Sequence, residues 1–575
     1  MSSRRGFGLD SYRIEILANA LTAITEEIEL TILRTAYSHN VKEGHDASCV
    51  IFNGKGYIVA QSIGIPGHLG SMKFMIAEVL KTYPVENLRP GDIFISNDPY
   101  RGGGHLPDIG MFRPVFCESR CVAFTGCMIH HTDVGGMSPG SNPVRATELY
   151  QEGLVIPPIK LCEAGRENAM LFDMIRANVR QPDIMLGDLR AQEAALLKGE
   201  QRLRDLLGRY GVPGVTEAME MLIAYSERKT REAIAAIPNG SYEFEDFMDH
   251  DGIDLSKPVR IKVRLDVLDD RLRFDFTGTD PQVKGPINAT FSLTWTSVFV
   301  CVSSILPDDV PFNEGMTRAI EVHAPEGTII NPRHPAPVNA RSVTLQRIVD
   351  AVLGALALAV PDRVGAQSCG VVVGVSFGGI DPRTGKNFVF YEAYCGGLGG
   401  TRASDGADGI SCGVANPQNI PAEVVEMNYP IRIHRFELVR DSGGSGEFRG
   451  GLGLKREYEM LAESATFNVR GERSAFPPRG SRGGGDGSVS SAFLEDEDGK
   501  LNPIASKYGG YIQRGRRLIV IQPGGGGYGK PALRSRERLV ADYLDGKMSA
   551  AKIKNDFGVD IDALLNDTRH RAVSG

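Results

Sequence analysis

The sequence predicts a mixed α+β protein of several packed lobes, rich in β-structure, with a helical segment in its first half and a short helical C-terminal tail. At 575 residues the chain is several times longer than one typical hydrophobic core needs, and 42% hydrophobic with 23% charged residues is ordinary for a soluble globular protein. Its 68 glycines and 32 prolines indicate many tight turns. Beyond Pro361, short strand-like runs are separated by glycine clusters, which favours β-structure there.

The first part of the chain alternates helices with strands. A helix is predicted to begin at Asp10 or Ser11, because either residue can cap it and apolar residues follow at helical spacing. A hairpin is predicted over residues 48–61, where Asn53 and Gly54 separate two apolar runs.

Helical character then dominates from Leu186 to Ala235. The alternation of apolar and charged residues over Val259–Val267 predicts an antiparallel pair of strands with one solvent-exposed face. The apolar run Ala351–Val360 is too short to span a bilayer and is predicted to be a buried helix. The predicted parts are an N-terminal α/β part (1–140), a mostly helical segment (141–240), a β-rich and glycine-rich part (241–530) and a helical tail (531–575).

Charge and cysteine content exclude several classes of protein. A net charge of -7 argues against a nucleic-acid-binding surface, and the basic first residues lack the apolar segment of a secretory signal. The 9 cysteines are odd in number and form no C-x-x-C pair, so buried thiols in a reducing cytosol are expected rather than disulfides. We therefore expect a cytoplasmic protein that binds neither nucleic acid nor membrane.

Side chains suited to metal binding concentrate near the N-terminus. The segment Asn97–Asp108 is the most informative in the chain, because three glycines expose its backbone and prolines stiffen both ends. It presents His105 and Asp108 from one loop, close enough to share an ion.

Two further segments add candidate ligands. His130 and His131 follow an apolar strand, on which neighbouring residues point to opposite faces, so only one of them can easily join His105. Glu43 and Asp46 immediately precede the hairpin strand and offer carboxylates.

Two imidazoles with one or two carboxylates suit Zn²⁺, Mn²⁺ or Fe²⁺ rather than Ca²⁺ or Mg²⁺ alone. Such an ion lowers the pKa of bound water towards ~7 and stabilises an enolate or a tetrahedral anion. The alternative is a set of hydrogen-bonded loop histidines that orient the backbone. Any one histidine favours that alternative, whereas the combination in glycine-rich surroundings favours a metal site, although its spacing matches no common zinc motif.

Four other patterns carry weaker signals. The acidic run 246–254 lacks the glycine and glutamate positions of a calcium loop and is predicted to be a solvated turn. Gly524–Lys530 has the spacing of a phosphate-binding loop, but Pro531 stands where Ser or Thr is needed. Gly374–Gly378 spells G-x-S-x-G without the helix that must follow, and Cys395 is predicted to be a packed thiol. We therefore predict no ATP site in this chain.

Several long and unusual motifs run from the first helix to the tail. They are Thr31–Tyr37, Gly67–Met72, Asn97–Asp108, His130–Met137, Gln151–Leu154 and Pro523–Gly529. Together they resemble the hydantoinase B/oxoprolinase family, and the resemblance covers essentially the whole chain.

The resemblance implies a division of labour between two subunits. An A-type partner with an actin-like ATPase fold would use ATP to phosphorylate the amide or carbonyl oxygen of a small-molecule substrate. This B-type chain would receive the activated intermediate at a metal site and open a cyclic amide of lactam, hydantoin or 5-oxoproline type. The expected enzyme is thus a hydrolase that is active only with its A-type subunit, in a hetero-oligomer such as A2B2.

Two alternatives remain open from the sequence. One is a component of an ATP-dependent acetone or acetophenone-type carboxylase, which the compact length of the chain disfavours. The other is a non-catalytic scaffold with a structural metal, which the O- and N-rich donor set disfavours because structural zinc sites are typically closed by cysteines.

The resemblance also implies a ligand set. The metal ligands correspond to His105, Asp108 and His130, with a further carboxylate from Asp46, which leads directly into the strand, or from Glu43. The resemblance implies that Asp98, His131 and Asp133 surround these ligands and support them. An acid in such a position accepts the N–H of a ligand imidazole and so fixes the tautomer of that ligand.

Overall fold

The computed structural model describes residues 11–565 and confirms a mixed α+β fold, in which helices pack on four β-sheets. Within the described residues the first helix spans Ser11–Thr35. Asp10, the other predicted capping residue, lies outside the described residues.

The N-terminal part is built on a seven-stranded antiparallel sheet. Its strands are β1 (Ala47–Asn53), β2 (Ile58–Gln61), β3 (Ile93–Ser96), β4 (Asp108–Cys117), β5 (Arg120–His130), β6 (Ile159–Glu163) and β7 (Arg166–Glu167). They lie in the order β2-β1-β5-β4-β3-β6-β7, and β1 with β2 forms the predicted hairpin. The sheet continues past residue 140, the boundary placed from the sequence, because β6 pairs with β3.

Helices cover both faces of this sheet. They are α1 (Ser11–Thr35), α2 (His39–Lys42), α3 (Pro66–Thr82), α4 (Ala169–Asn178), α5 (Pro182–Tyr210) and α6 (Val212–Ala235). Along β1, Cys49 and Ile51 pack in the core with α1 and α5, whereas Val50 and Phe52 pack with α3. Successive strand residues point to opposite faces and both faces are buried, which explains the continuous apolar run.

A second sheet forms the centre of the molecule. Its elements are β8 (Gly240–Met248), β9 (Val259–Leu268), β10 (Arg271–Asp275), α7 (Phe291–Ser303), α8 (Glu314–Thr317), β11 (Ile320–His323) and α9 (Arg341–Ala359). β9 alternates buried and half-buried residues as predicted, and α9 packs on β8 and β9. By length and composition α9 could cross a membrane, but 72% of its apolar window is buried, as in a core helix.

The last third is a sandwich of two antiparallel sheets followed by the helical tail. Its elements are β12 (Val373–Ile380), β13 (Asn387–Tyr394), α10 (Ala422–Asn428), β14 (Ile431–Leu438), β15 (Leu454–Met460), β16 (Ser464–Arg470), β17 (Ser491–Glu495), β18 (Leu501–Ile504), β19 (Lys507–Gln513), β20 (Arg517–Ile521), α11 (Arg536–Leu544) and α12 (Ala550–Phe557). The sheets β13-β12-β16-β19 and β14-β15-β20-β17-β18 share one core. Gly374–Gly378 lies within β12 and is therefore no nucleophile elbow.

Glycine-rich segments meet beside this sandwich and pack backbone against backbone. The Gly451 amide donates to the Leu398 carbonyl at 2.7 Å, and the Gly525 amide donates to the Gly451 carbonyl at 2.9 Å. A Cβ at Gly450 would collide with the Gly525 carbonyl oxygen, which only glycine avoids. We refer to the contact among residues 395–400, 443–451, 480–487 and 523–529 as the glycine bundle. The backbone groups of the glycine bundle hydrogen-bond to one another. Residues 524–530 are followed by a 3-10 turn rather than a phosphate-binding helix.

Candidate metal centre

The candidate centre lies at the end of the first sheet, where β4 pairs with β5. Asp108 is the first residue of β4 and the cross-strand partner of His130, the last residue of β5. His105 precedes β4 by one turn, and its carbonyl accepts the Asp108 N–H at 2.9 Å. The register of one antiparallel pair therefore brings these three residues together.

The loop before β4 is held in place by the buried Asn97. Its side chain accepts from the Ile156 amide at 2.6 Å and donates to a carbonyl of its own loop at 2.7 Å. Gly104 is needed because a Cβ there would collide with the Asp108 carboxylate. The loop thus presents His105 and Asp108 in fixed positions, as its glycines and prolines predicted.

The three side chains point their donor atoms at one another. The ligand atoms of His105, Asp108 and His130 all lie within 4.8 Å of one another, and each side chain is buried. His105 Nε2 and Asp108 Oδ1 are 3.1 Å apart but lack hydrogen-bond geometry. Among the described residues, neither atom has a hydrogen-bond partner, and nor does His130 Nε2. A buried polar atom without a partner costs about 1–3 kcal/mol, so three of them facing one point fit a bound cation.

The protonation states also fit metal ligands. Burial lowers the pKa of His105 to about 3 and, with His105 beside it, lowers the pKa of His130 well below the ordinary value. Burial would raise the pKa of Asp108, but Arg341 and the neighbouring histidines outweigh it and hold that pKa well below its usual range. At neutral pH the set is two neutral imidazoles and one carboxylate, the forms that bind metals.

Neighbouring amides and one aromatic ring orient the two imidazoles. The Asn40 amide nitrogen is 3.1 Å from His130 Nδ1, and the Asn339 amide nitrogen is 3.5 Å from His105 Nδ1. The Tyr391 ring stacks on His130 with 4.6 Å between the centroids. Both rings are thus held from their Nδ1 sides, which leaves Nε2 facing the centre.

Of the two candidate carboxylates, Asp46 lies at the centre. It is buried, lines the same cavity as Asp108 and His130, and burial raises its pKa to about 6. Glu43 is half-buried at the C-terminal end of α2 and acts electrostatically on His39 instead. The geometry therefore favours Asp46 as the fourth ligand.

His68 is a neighbour to which the sequence analysis gave no role. It lies on the first turn of α3, and its Nε2 is 3.5 Å from Asp108 Oδ1 and 3.6 Å from Asp46 Oδ1. Burial opposes the charged imidazole, but Asp108 and Asp46 outweigh it and raise the pKa of His68. The segment Gly67–Met72 had been singled out only for its resemblance to a family motif.

Two arginines from later in the chain complete the cavity wall, and nothing in the sequence pointed to them. Arg341, the first residue of α9, donates from Nη2 to Asp108 Oδ2 at 2.6 Å. Arg470, the last residue of β16, donates to the Asn339 carbonyl at 3.0 Å and to the Tyr391 hydroxyl at 2.9 Å. The cavity between them has a volume of about 60 Å³, which is room for small ligands such as water.

The supporting residues implied by the resemblance contact other groups. His131 faces away from the centre, with Nε2 3.1 Å from Gln192 Oε1. Asp133 accepts from two glycine amides of its own loop and from Arg180 at 3.0 Å. Asp98 caps the turn after it by accepting the Tyr100 N–H at 3.0 Å. These side chains shape the loops around the centre and do not touch a ligand imidazole, because local hydrogen bonds satisfy them first.

The acidic run 246–254 is not the solvated turn that was predicted. Asp246, Asp249 and Asp251 are buried, and only the Asp254 end is open to solvent. Arginines from distant segments neutralise Asp246, as described below. Cys395 is a packed thiol as predicted, and all nine cysteines are free, eight of them buried.

Comparison with known proteins places these features in context. The family model described as hydantoinase B/oxoprolinase matches residues 10–531. A Pseudomonas sp. (strain NS671) protein, provisionally named as the B component of a D-/L-hydantoinase, is 33% identical over 96% of this chain and 95% of its own length. The beta component of the caprolactamase of Pseudomonas jessenii is 32% identical over 96% of this chain and 97% of its own.

Two solved structures share the fold. The crystal structure of the ATP-dependent caprolactamase from Pseudomonas jessenii matches with a TM-score of 0.89 at 30% identity, covering 96% of both chains. The nucleotide-free structure of an acetone carboxylase matches with a TM-score of 0.84, over 98% of this chain and 84% of that one. At 17% identity the latter shows the fold alone.

Proposed function

Because this chain belongs to the hydantoinase B/oxoprolinase family, we propose that it is the metal-bearing subunit of an ATP-dependent amidohydrolase. It opens a cyclic amide of lactam, hydantoin or 5-oxoproline type after a partner subunit has phosphorylated that amide. The observation that carries this proposal is the convergence of three buried, unpartnered donor atoms from His105, Asp108 and His130.

The proposed ligands are His105, Asp108, His130 and Asp46, and the proposed ion is Zn²⁺, Mn²⁺ or Fe²⁺. Neutral imidazoles with carboxylate oxygens match these borderline metals, and a donor set that faces a cavity leaves positions open for substrate. A bound ion of this kind would supply a water of lowered pKa and polarise a substrate oxygen.

The chain's own residues handle charge and protons around that ion. His68 and Asp46 lie 3.6 Å apart at the cavity, so together they can hold a proton at His68 Nε2 and release it to a leaving nitrogen. Arg341 fixes the Asp108 carboxylate at 2.6 Å and keeps it ionised.

Hydrolysis is preferred over carboxylation for a specific reason. Two relatives that align over at least 95% of both chains, at 32–33% identity, carry hydantoinase and caprolactamase names. The likeness to acetone carboxylase is one of fold. A scaffold with a structural metal would close the coordination sphere, whereas Asp46, Asp108 and His130 line a cavity.

The partner we propose is an A-type subunit with an actin-like ATPase fold, which binds the ATP, in an assembly such as A2B2. Both of these relatives are named as one component of a larger enzyme, which supports the need for a partner. The glycine bundle also supports it, because glycine-rich segments that could otherwise cradle phosphates are occupied by backbone contacts. A cytoplasmic location is proposed, supported by nine free thiols.

The metal proposal is tested by elemental analysis of the purified chain and of His105→Ala, Asp108→Ala, His130→Ala and Asp46→Ala, with folding checked by circular dichroism. We expect near-stoichiometric Zn, Mn or Fe in the wild type and its loss from the folded variants. His434→Ala, an exposed histidine paired with Glu459, is the matched control and should keep the metal.

A folded wild-type chain that holds no transition metal after reconstitution would overturn the metal proposal. If metal is present, the chain is mixed with its ATPase partner and screened for ring opening of lactams and hydantoins. Hydrolysis should require both subunits and ATP. Carboxylation of a ketone in place of ring opening would overturn the proposed reaction.

A further inference from the structure

Arg470 is a buried positive charge without a negative partner. Its side chain is 2% exposed and lines the cavity of the candidate centre. Its hydrogen bonds go to the Asn339 carbonyl, the Asn339 side-chain oxygen and the Tyr391 hydroxyl, all uncharged. Within residues 11–565 no carboxylate lies within 4.0 Å of its guanidinium, and its Nε has no hydrogen-bond partner.

Other fully buried arginines of this protein provide an internal control. Arg347 and Arg473 each pair with Asp246 and Asp350, and Arg456 pairs with Glu392 at 3.0 Å. A buried ion without a counter-ion is strongly destabilising in general, which is why these three arginines are paired. Arg470 has no such counter-ion among residues 11–565, and it lies in the cavity wall beside the candidate metal ligands.

The charges around the cavity leave room for an anion. The carboxylates of Asp46 and Asp108 balance the guanidiniums of Arg341 and Arg470 in number. A divalent cation at the centre would then give the cavity a net positive charge. Low dielectric strengthens the attraction of such a site for an oxyanion.

The two guanidiniums also have the right shape. Each is a planar fork that matches the oxygens of phosphate or carboxylate, and the unpartnered Nε atoms of Arg341 and Arg470 are still free to donate. We propose that Arg470, together with Arg341, forms a subsite for the phosphoryl group of the activated substrate. This inference rests on the proposed function, which supplies that phosphoryl group through the partner subunit.

The subsite is tested by isothermal titration of inorganic phosphate into the purified chain at matched metal content. The variants are Arg470→Met and Arg470→Lys. Loss of charge-assisted hydrogen bonds in Arg470→Met should weaken phosphate binding by about tenfold or more. Arg470→Lys keeps the charge but loses the fork and should bind with intermediate affinity. Arg432→Gln is the matched control, since Arg432 is exposed on β14 and pairs with Glu459 there.

Thermal unfolding separates this role from a structural one. Removing an uncompensated buried charge should leave the Tm of Arg470→Met unchanged or higher. A large fall in Tm with unchanged phosphate affinity would overturn the subsite and assign Arg470 to holding Tyr391 and Asn339. If Arg470→Met does not fold, Arg470→Lys decides, and phosphate binding equal to wild type would overturn the proposal.

Acetate is titrated in parallel, because the carboxylate of an opened amide is the other oxyanion that could reach this wall. Tighter binding of acetate than of phosphate would overturn the phosphoryl assignment. The proposed function fails by a different result, namely the absence of metal or of ring opening. If the enzyme binds metal and is active, but its phosphate affinity is the same with and without Arg470, only the subsite is refuted.

Discussion

One helix, α9, contributes to two buried clusters of charge that differ in their pairing. At its first residue, Arg341 helps to wall the candidate metal centre. Among residues 11–565, three donor atoms of that centre lack a hydrogen-bond partner and Arg470 lacks a carboxylate partner. Further along, Arg347 and Asp350 join Asp246 and Arg473 in the cluster that we call the paired cluster. There each charge has a counter-charge between 2.7 and 3.3 Å away.

The comparison shows that the pairing of buried charges, rather than the number of acidic residues, distinguishes the candidate metal centre from the paired cluster. The paired cluster is as buried as the candidate centre, but each of its charges already has a counter-charge, so it holds no uncompensated charge for a ligand to neutralise. Its role is to fasten α9 and the sandwich to the second sheet. The centre keeps unsatisfied donors, a condition that a folded protein tolerates where a ligand completes the set.

The largest effect should come from breaking the paired cluster. Asp246→Ala would leave Arg347 and Arg473 sharing one carboxylate in the interior, so we expect the free energy of unfolding to fall by about 3–5 kcal/mol. Urea unfolding followed by circular dichroism measures this. Asp254→Ala, at the exposed end of the same acidic run, should unfold close to wild type. Equal behaviour of the two variants would contradict the comparison.

A smaller effect on the free energy of unfolding should come from removing the proposed metal ion from the candidate centre. Chelation of the metal should destabilise the wild type by about 3 kcal/mol if free metal stood about 100-fold above its Kd, because the ion binds only the folded state. His105→Ala should show no such response to the chelator, whereas the control His434→Ala should respond like wild type. Thermal scans with and without chelator measure the difference, and a wild type that ignores the chelator would contradict it.

An effect that depends on pH concerns Glu152, a third kind of buried acid. It accepts two backbone N–H groups, from Val338 and Asn339, and pairs with no cation among residues 11–565, so burial raises its pKa to about 8. Between its ordinary pKa and about 8 the folded state keeps a proton that the unfolded state has released. The stability from this group is therefore full at acidic pH, falls as pH rises, and is gone above about 8.

Glu152→Gln tests that sign, since glutamine mimics the protonated acid at every pH. Urea midpoints between pH 5 and pH 9 should fall more steeply for the wild type than for the variant, with the two diverging as the pH rises. Parallel curves would mean that Glu152 is ionised in the folded protein.

The sequence predicted the parts of this site that depend on local signals. Alternating apolar residues and an Asn-Gly turn predicted the strands, and the glycine-rich loop predicted that His105 and Asp108 act together. The assignment of only one of His130 and His131 to the centre followed from strand geometry. These inferences need only neighbours in the chain.

The rest of the site depends on contacts between segments that are distant in the chain, and such contacts cannot be predicted from a single sequence. Arg341 and Arg470 lie in no motif, and only the packing of α9 and β16 against the first sheet brings them to the cavity. The acidic run was misjudged as solvated for the same reason, since the arginines that neutralise it are Arg347 and Arg473.

The wall of the centre has a consequence for synthesis on the ribosome, which proceeds from the N-terminus. The donors His105, Asp108 and His130 emerge early and can fold with the first sheet, whereas Arg341 and Arg470 are translated much later. Until then the nascent chain exposes its donor atoms without the arginine that secures Asp108 or the wall that encloses them. Under the proposed function, an ion captured by the growing chain would be only partly enclosed, and the choice of metal would be fixed when the last third of the protein packs over it.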